Sequence, residues 1–289
     1  MTSFPTIPCH ASAPKPHLAD GPTKGRCLRS QALQLLLVSS AQEKASAIRA
    51  LDVRDWQVDP QTRLQEPGGV PGRPQHPKLV HPSALSKRAV GTPQGRASLI
   101  HALAHIEANA INLALDIIWR FDGLPEMFYR DWWQVAIEEA LHFELLAVHL
   151  QSLGYTYGDF PAHDGLWDMA AKTTTDVLAR LALVPRTLEA RGLDVTPAIQ
   201  NKLVSVGDQA GAAILDVILR DEIGHVATGN RWFNTLCAEH GQNPVQTYAQ
   251  LARRYEAPAL KGPFNMPARR AAGFSENELA ALCGTPQTA

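Results

Sequence analysis

Apolar residues recur every three or four positions along most of the chain, the spacing of helices that bury one face, so the pattern predicts an all-α protein. Residues 27–51 can form an amphipathic helix with Leu33, Leu36, Leu37 and Ala41 on one side. Periodicity then stops. Residues 59–93 are rich in Pro and Gly, with turn chemistry at Pro67-Gly68-Gly69 and Pro71-Gly72-Arg73-Pro74, and read either as an ordered belt around a bundle or as an unstructured segment. Long helices are predicted over 94–121 and 126–153, and a third from about Gly165 to just before Gly192. Pro185 should remove a backbone bond and bend this third helix. Thr196-Pro197 reads as the start of a fourth stretch reaching His240, with a break near Gly207 and Asp208 as the cap of its second part. The chain thus divides into an N-terminal arm, helix and belt (1–93), a four-helix bundle (94–241) and an extension packed on it (242–289). Residues 1–24, with five prolines, read as a loosely attached arm.

The helices carry an unusual charge pattern. Glu139 and His142 form one Glu-x-x-His pair, and Glu222 and His225 form another. Residues three apart on a helix project from one face, where a carboxylate and an imidazole can grip one side of a metal ion. Trp132, Val135, Ala136, Phe143 and Leu146 share the face of the first pair. Leu215, Ile218, Val226 and Trp232 share that of the second. An ionised Glu on such an apolar stripe costs several kcal/mol unless a cation or strong donor lies beside it.

A metal core in a four-helix bundle requires two more carboxylates, one from each remaining helix. Glu107 lies 32 residues before Glu139 (139 − 107), and Glu189 lies 33 before Glu222 (222 − 189). Each half of the chain therefore reads Glu, a helix-and-return gap, then Glu-x-x-His. The near-equal gaps favour Glu189 over Asp176, whose gap to Glu222 is 46 (222 − 176). The candidate ligands are Glu107, Glu139, His142, Glu189, Glu222 and His225. Asp221, just before Glu222, is placed to orient a ligating histidine, whereas Glu138 reads as an exposed neighbour of Glu139. His101 and His105 face away from Glu107 by the helical count and read as a polar face, solvated or covered by the belt. His163 reads as part of an ordinary surface loop.

The doubled Glu, Glu-x-x-His pattern resembles the ferritin-like di-iron carboxylate superfamily. Within it, His-Ala-x-x-His-Ile-Glu at 101–107, Val-Pro-Arg-x-Leu-Glu-Ala-Arg-Gly-Leu-Asp at 184–194 and Asp-Glu-x-x-His-Val at 221–226 resemble the family known as domain of unknown function 455. The likeness spans roughly residues 71–274 and is more distantly similar to a tRNA-modifying di-iron hydroxylase. It implies a ferritin-like four-helix bundle with a dinuclear metal site. Oxygen and imidazole donors suit two iron ions, or manganese or a mixed pair, with zinc binding opportunistically. The chemistry implied is O2-dependent oxidation or hydroxylation of a small or nucleotide-like molecule. Iron handling, as in ferritins, and a metal that only holds the bundle together are the alternatives.

Composition narrows these readings. With 45% hydrophobic and 19% charged residues, the chain suits a globular protein with a real core. Its net charge of −1 leaves no global footprint for nucleic acid or an anionic membrane. Residues 251–273 are locally basic, with Arg253, Arg254, Lys261, Arg269 and Arg270, and are expected to pack on the bundle rather than bind RNA. Cys9, Cys27, Cys237 and Cys283 are scattered, which suits reduced thiols in the cytoplasm. Asn112 and Asp116 interrupt the apolar run of the first long helix, so no membrane span is expected.

Overall fold

A computed structural model describes residues 26–86 and 88–283, so the arm read at residues 1–24 lies outside it. The described residues form an all-α bundle. Two short helices, α1 (Leu28–Leu36) and α2 (Ala41–Ala50), stand where one was expected. The break follows from Ser40, whose side chain accepts a hydrogen bond from the Glu43 amide (3.2 Å) and starts a new helix. Leu28, Leu36 and Ile48 are fully buried in the same core as the long helices.

Helix α3 (Pro93–Arg120) begins at Thr92, which caps the Gly95 amide at 3.0 Å, with Pro93 in the first turn. It is the central helix: from Ile100 to Trp119 every residue except Ala102 and Ile106 is buried. Its buried Asp116 carries three partners, the Trp119 indole N–H at 3.1 Å, Arg120 at 2.8 Å and the equally buried Arg180 at 2.5 Å. Residues 121–125 turn the chain into α4 (Glu126–Ser152), which packs along α3. Arg29 joins the pieces. Its guanidinium donates to the Ile118 and Trp119 carbonyls at the end of α3 and to Asp59 and Thr62 in the belt (2.6–3.2 Å).

The belt is ordered over its described residues. Gly72 donates to Leu36 (2.8 Å), Leu79 and Ala162 form a short bridge, and Arg73 pairs with Asp164 (3.1 Å).

The third helix departs from expectation twice. It is interrupted between α5 (Gly165–Lys172) and α6 (Val177–Leu183), where Thr173, Thr174 and Thr175 follow one another. Thr173 Oγ1 bonds back to Met169 (3.0 Å), and Asp176 caps α6 through the Ala179 amide (2.9 Å). Asp176 is thereby committed to the backbone. At Pro185 the chain widens into a π-helical turn, Val184–Glu189, because the proline has no N–H to give. That turn runs straight into α7 (Ala190–Ser205), passing through Gly192 and Pro197 without a break.

The start signal at Thr196-Pro197 is overridden by the C-terminal extension. An interior proline strands the carbonyl four residues earlier, here Leu193. Asn265 Nδ2 donates to that carbonyl at 3.1 Å. Beside it, Asp194 accepts from Arg269 (2.7 and 3.0 Å) and from the Asn265 amide (3.0 Å). Helix α8 (Gln209–Glu239), capped by Asp208 as expected, pairs with α7. Helices α9 (Pro244–Arg254), α10 (Met266–Ala271) and α11 (Glu276–Leu282) complete the chain. Arg269 is only 1% exposed, so this basic cation is internal, and Arg270 pairs with Glu276 (2.6 Å). Among the described residues no helix is long and apolar enough to cross a membrane.

Candidate metal centre

The bundle brings four polar stripes face to face. Glu107 comes from the middle of α3, Glu139 and His142 from α4, Glu189 from the end of the π-helical turn, and Glu222 and His225 from α8. Glu107, Glu139, His142 and Glu222 each offer a ligand atom, and these atoms all lie within 4.8 Å of one another. His142 Nδ1 lies 3.3 Å from Glu139 Oε2 and 3.5 Å from Glu107 Oε2. His225 Nδ1 lies 2.9 Å from Glu139 Oε1 and 3.8 Å from Glu222 Oε1. Glu139 therefore sits between the two imidazoles, one oxygen toward each. The rings are 5.7 Å apart, centroid to centroid.

These inward atoms are left without partners. Glu107 Oε2, Glu139 Oε1, Glu189 Oε2, Glu222 Oε2 and His225 Nδ1 are all buried and make no hydrogen bond. Even the 2.9 Å approach of His225 to Glu139 lacks hydrogen-bond alignment. A buried polar atom left unmade costs about 1–3 kcal/mol, and a native core holds few of them. Five in one core, three of them on Glu107, Glu139 and Glu222 of the four-residue cluster, fit a cation better than a polar network; Glu189 and His225 stand outside that cluster. The donor set, carboxylate oxygen and imidazole nitrogen with no thiolate, fits iron or manganese.

The electrostatics agree. Burial pushes the carboxyls of Glu107, Glu189 and Glu222 upward, and neighbouring carboxylates push them further. Glu139 goes the other way, because His225 and His142 outweigh its burial. Burial works against charge on His142 as well, yet Glu107 and Glu139 raise it to about 11. His225 is raised in the same manner by Glu139 and Glu138.

The outer nitrogens are held by a crossed pair of carboxylates. His142 Nε2 on α4 lies 3.1 Å from Asp221 Oδ2 on α8. His225 Nε2 on α8 lies 2.8 Å from Glu138 Oε2 on α4. Each carboxylate immediately precedes a metal-facing Glu on its own helix and serves the histidine of the other. Such an acceptor fixes the N–H outward and leaves the Nδ1 lone pair facing inward. Asp221 is steadied by Arg220 (2.8 Å) and Glu138 by Gln134 (2.8 Å). Asp221 thus stands at the outer nitrogen of His142. Glu138, read as an exposed neighbour, is instead half-buried against His225, one before Glu139 as Asp221 is one before Glu222.

His101 and His105 are covered, though by loop residues 155–163 more than by the belt. His105 bridges Tyr157 Oη (2.8 Å) and the His163 carbonyl (3.0 Å), and His101 Nε2 accepts from the Gly158 amide (3.0 Å). Burial lowers both to about 4, so they are neutral structural groups. His163 also departs from expectation, since it lines a cavity of about 320 Å3 together with Glu107, Glu189 and Glu222.

A family model described as Protein of unknown function (DUF455) matches residues 37–280. The chain belongs to that family. The match covers all six candidate ligands and crosses from α2 to α11, so the family unit includes the belt and most of the C-terminal extension. The chain is also similar to an uncharacterized protein of Haemophilus influenzae (strain ATCC 51907 / DSM 11121 / KW20 / Rd), 47% identical over 224 residues, which cover 74% of this chain and 77% of the relative. No solved structure matches this DUF455 protein.

Proposed function

We propose that Glu107, Glu139, His142, Glu189, Glu222 and His225 hold two metal ions, and that the protein is an O2-dependent oxidase or hydroxylase of an organic molecule. Iron is the first candidate, with manganese or a mixed pair next. The ferritin-like carboxylate proteins that the sequence resembles supply the precedent. The observation that supports the reading most is the convergence of unpartnered ligand atoms at the floor of a closed apolar bundle. Two irons sharing carboxylates would supply paired electrons for O2 chemistry.

The chain's own residues define the rest. Glu139, placed between His142 and His225, is the carboxylate positioned to be shared. Asp221 and Glu138 keep the Nε2 protons outward, so both Nδ1 atoms are free to ligate. Leu215 and Ile218, both buried, line the cavity beside Glu107, Glu189 and Glu222 and limit access of water. A cavity opening onto three of the carboxylates favours an organic substrate over a purely structural metal.

Oxygen uptake after anaerobic ferrous loading tests the reading. An oxidase or hydroxylase is expected to oxidise about two ferrous ions per chain and stop until a reductant is added. Continued oxidation of a large ferrous excess would instead make the protein an iron-handling one.

A further inference from the structure

The cavity beside the centre has a chemical polarity of its own. Its floor is formed by Glu107, Glu189 and Glu222, and its walls include Leu103, Ala110, Leu188, Leu215 and Ile218. Ile106, 45% exposed, and Arg191, whose side chain is 37% exposed, are among the lining residues that meet solvent. Arg191 is the only Arg or Lys among the described residues that line it. Its nearest carboxylate, Asp194, stands 3.4 Å away but is already occupied by Arg269 and the Asn265 amide. The two lining histidines do not compete for the role. Both ring nitrogens of His105 are engaged, and His163 Nδ1 accepts from the Gly165 amide. The cavity thus combines a solvent-exposed cation, apolar walls and a buried carboxylate cluster.

We propose that this cavity takes a molecule with an apolar body and one terminal anionic group, a carboxylate or a phosphate, with the anion on Arg191 and the body against Leu103, Ala110 and Ile218. The assignment rests on the metal-centre reading for the direction of the molecule, whose apolar end points at the reacting centre. At the floor the four carboxylates of the centre already balance two divalent ions, so an anionic group finds no net positive charge there. At Arg191 it meets a guanidinium that can form charge-assisted hydrogen bonds.

Gly192 supplies a clean test. It lies in the helical interior of α7 and in the cavity lining, and a Cβ added there would meet nothing within 4 Å. Gly192→Leu fills the cavity while improving helix propensity, so it should fold at least as well as the native chain. The experiment is calorimetric titration of the iron-loaded full chain with decanoate, decyl phosphate and decanol, with metal content measured on the same samples. At least one of the two anions is expected to bind about ten-fold more tightly than decanol, and Arg191→Gln to remove that advantage, a factor worth about 1.4 kcal/mol. Gly192→Leu is expected to abolish binding of all three with an unchanged or higher Tm. The tighter of the two anions identifies the headgroup. Equal binding of decanol and the anions, no binding of either anion, or indifference to both substitutions overturns the proposal. Binding that responds to both substitutions in a chain that takes up no metal would uphold the cavity assignment and sink the metal-centre reading. Normal metal content without anion binding would do the reverse.

Discussion

Gly229 on α8 lies against Pro185, and the consequences of filling that contact can be worked out from distances. A Cβ at position 229 would fall 2.6 Å from Pro185 Cβ and 2.7 Å from its Cγ. Ordinary carbon contacts are about 3.5–4.0 Å, so the proline would have to retreat by about 1 Å. The pyrrolidine ring is rigid and belongs to the π-helical turn that ends at Glu189, so its movement is passed to that carboxylate. Overpacking of this kind costs about 1–3 kcal/mol, and replacing a helical glycine with alanine returns up to about 1 kcal/mol. Gly229→Ala should therefore lower stability by only about 0–2 kcal/mol. Its effect on metal should be larger, because displacing a ligand by about 1 Å degrades a site held to about 0.5 Å. Gly224→Ala is the matched control: it sits on the same helix with nothing within 4 Å of the added Cβ. Competitive titration against a chromogenic chelator, with circular dichroism on the same samples, reads both effects. The expected result is at least ten-fold weaker binding of one metal equivalent in Gly229→Ala, with helicity retained and with Gly224→Ala binding like the native chain. Native affinity in Gly229→Ala would refute the chain of reasoning from Pro185 to Glu189.

Three further outcomes follow from other contacts. Glu138→Gln and Asp221→Asn should each weaken metal binding about 10–100-fold, and by similar amounts, because each holds the outer nitrogen of one histidine; a large effect from one alone would break the crossed symmetry. Burial, with a lesser contribution from Arg73, lowers Lys44 from 10.5 to about 7. The folded chain then binds fewer protons than the unfolded chain between those values, so stability should rise with pH from about 7 toward 10.5 by a few kcal/mol, and Lys44→Met should flatten that rise in denaturant titrations; parallel profiles would exclude it. Asn265→Ala should cost about 1–3 kcal/mol by stranding the Leu193 carbonyl opposite Pro197, and Arg269→Met about 3–5 kcal/mol by removing the buried partner of Asp194; chemical denaturation measures both, and near-neutral values would mean the extension does not brace α7.

The long helices and the clustering of Glu107, Glu139, His142 and Glu222 were legible because both depend on periodicity. Apolar spacing fixed the faces of α3, α4 and α8, and near-equal gaps placed Glu107 and Glu189 opposite the two Glu-x-x-His pairs. The interruption at Thr173 to Asp176 was missed because it depends on side chains bonding back to the backbone, which leaves no trace in hydrophobic period. Thr196-Pro197 misled for a different reason. A local start signal was outweighed by Asn265, about seventy residues away, supplying the bond that an interior proline removes. Pro185 showed that the backbone must change there, but the change was a widened turn, and its fit against Gly229 is a tertiary contact. The cavity and the position of Arg191 are likewise products of packing.

Metal content per chain, by elemental analysis of protein purified without chelators or a nickel column, tests the central claim most directly. About two irons or manganese per chain are expected, falling sharply in Glu139→Ala and in Glu222→Ala while helical content is kept. No metal in the native chain, even after anaerobic ferrous loading, would mean that the six residues form a proton-linked polar network in the bundle core, and the oxidase proposal would fall with it.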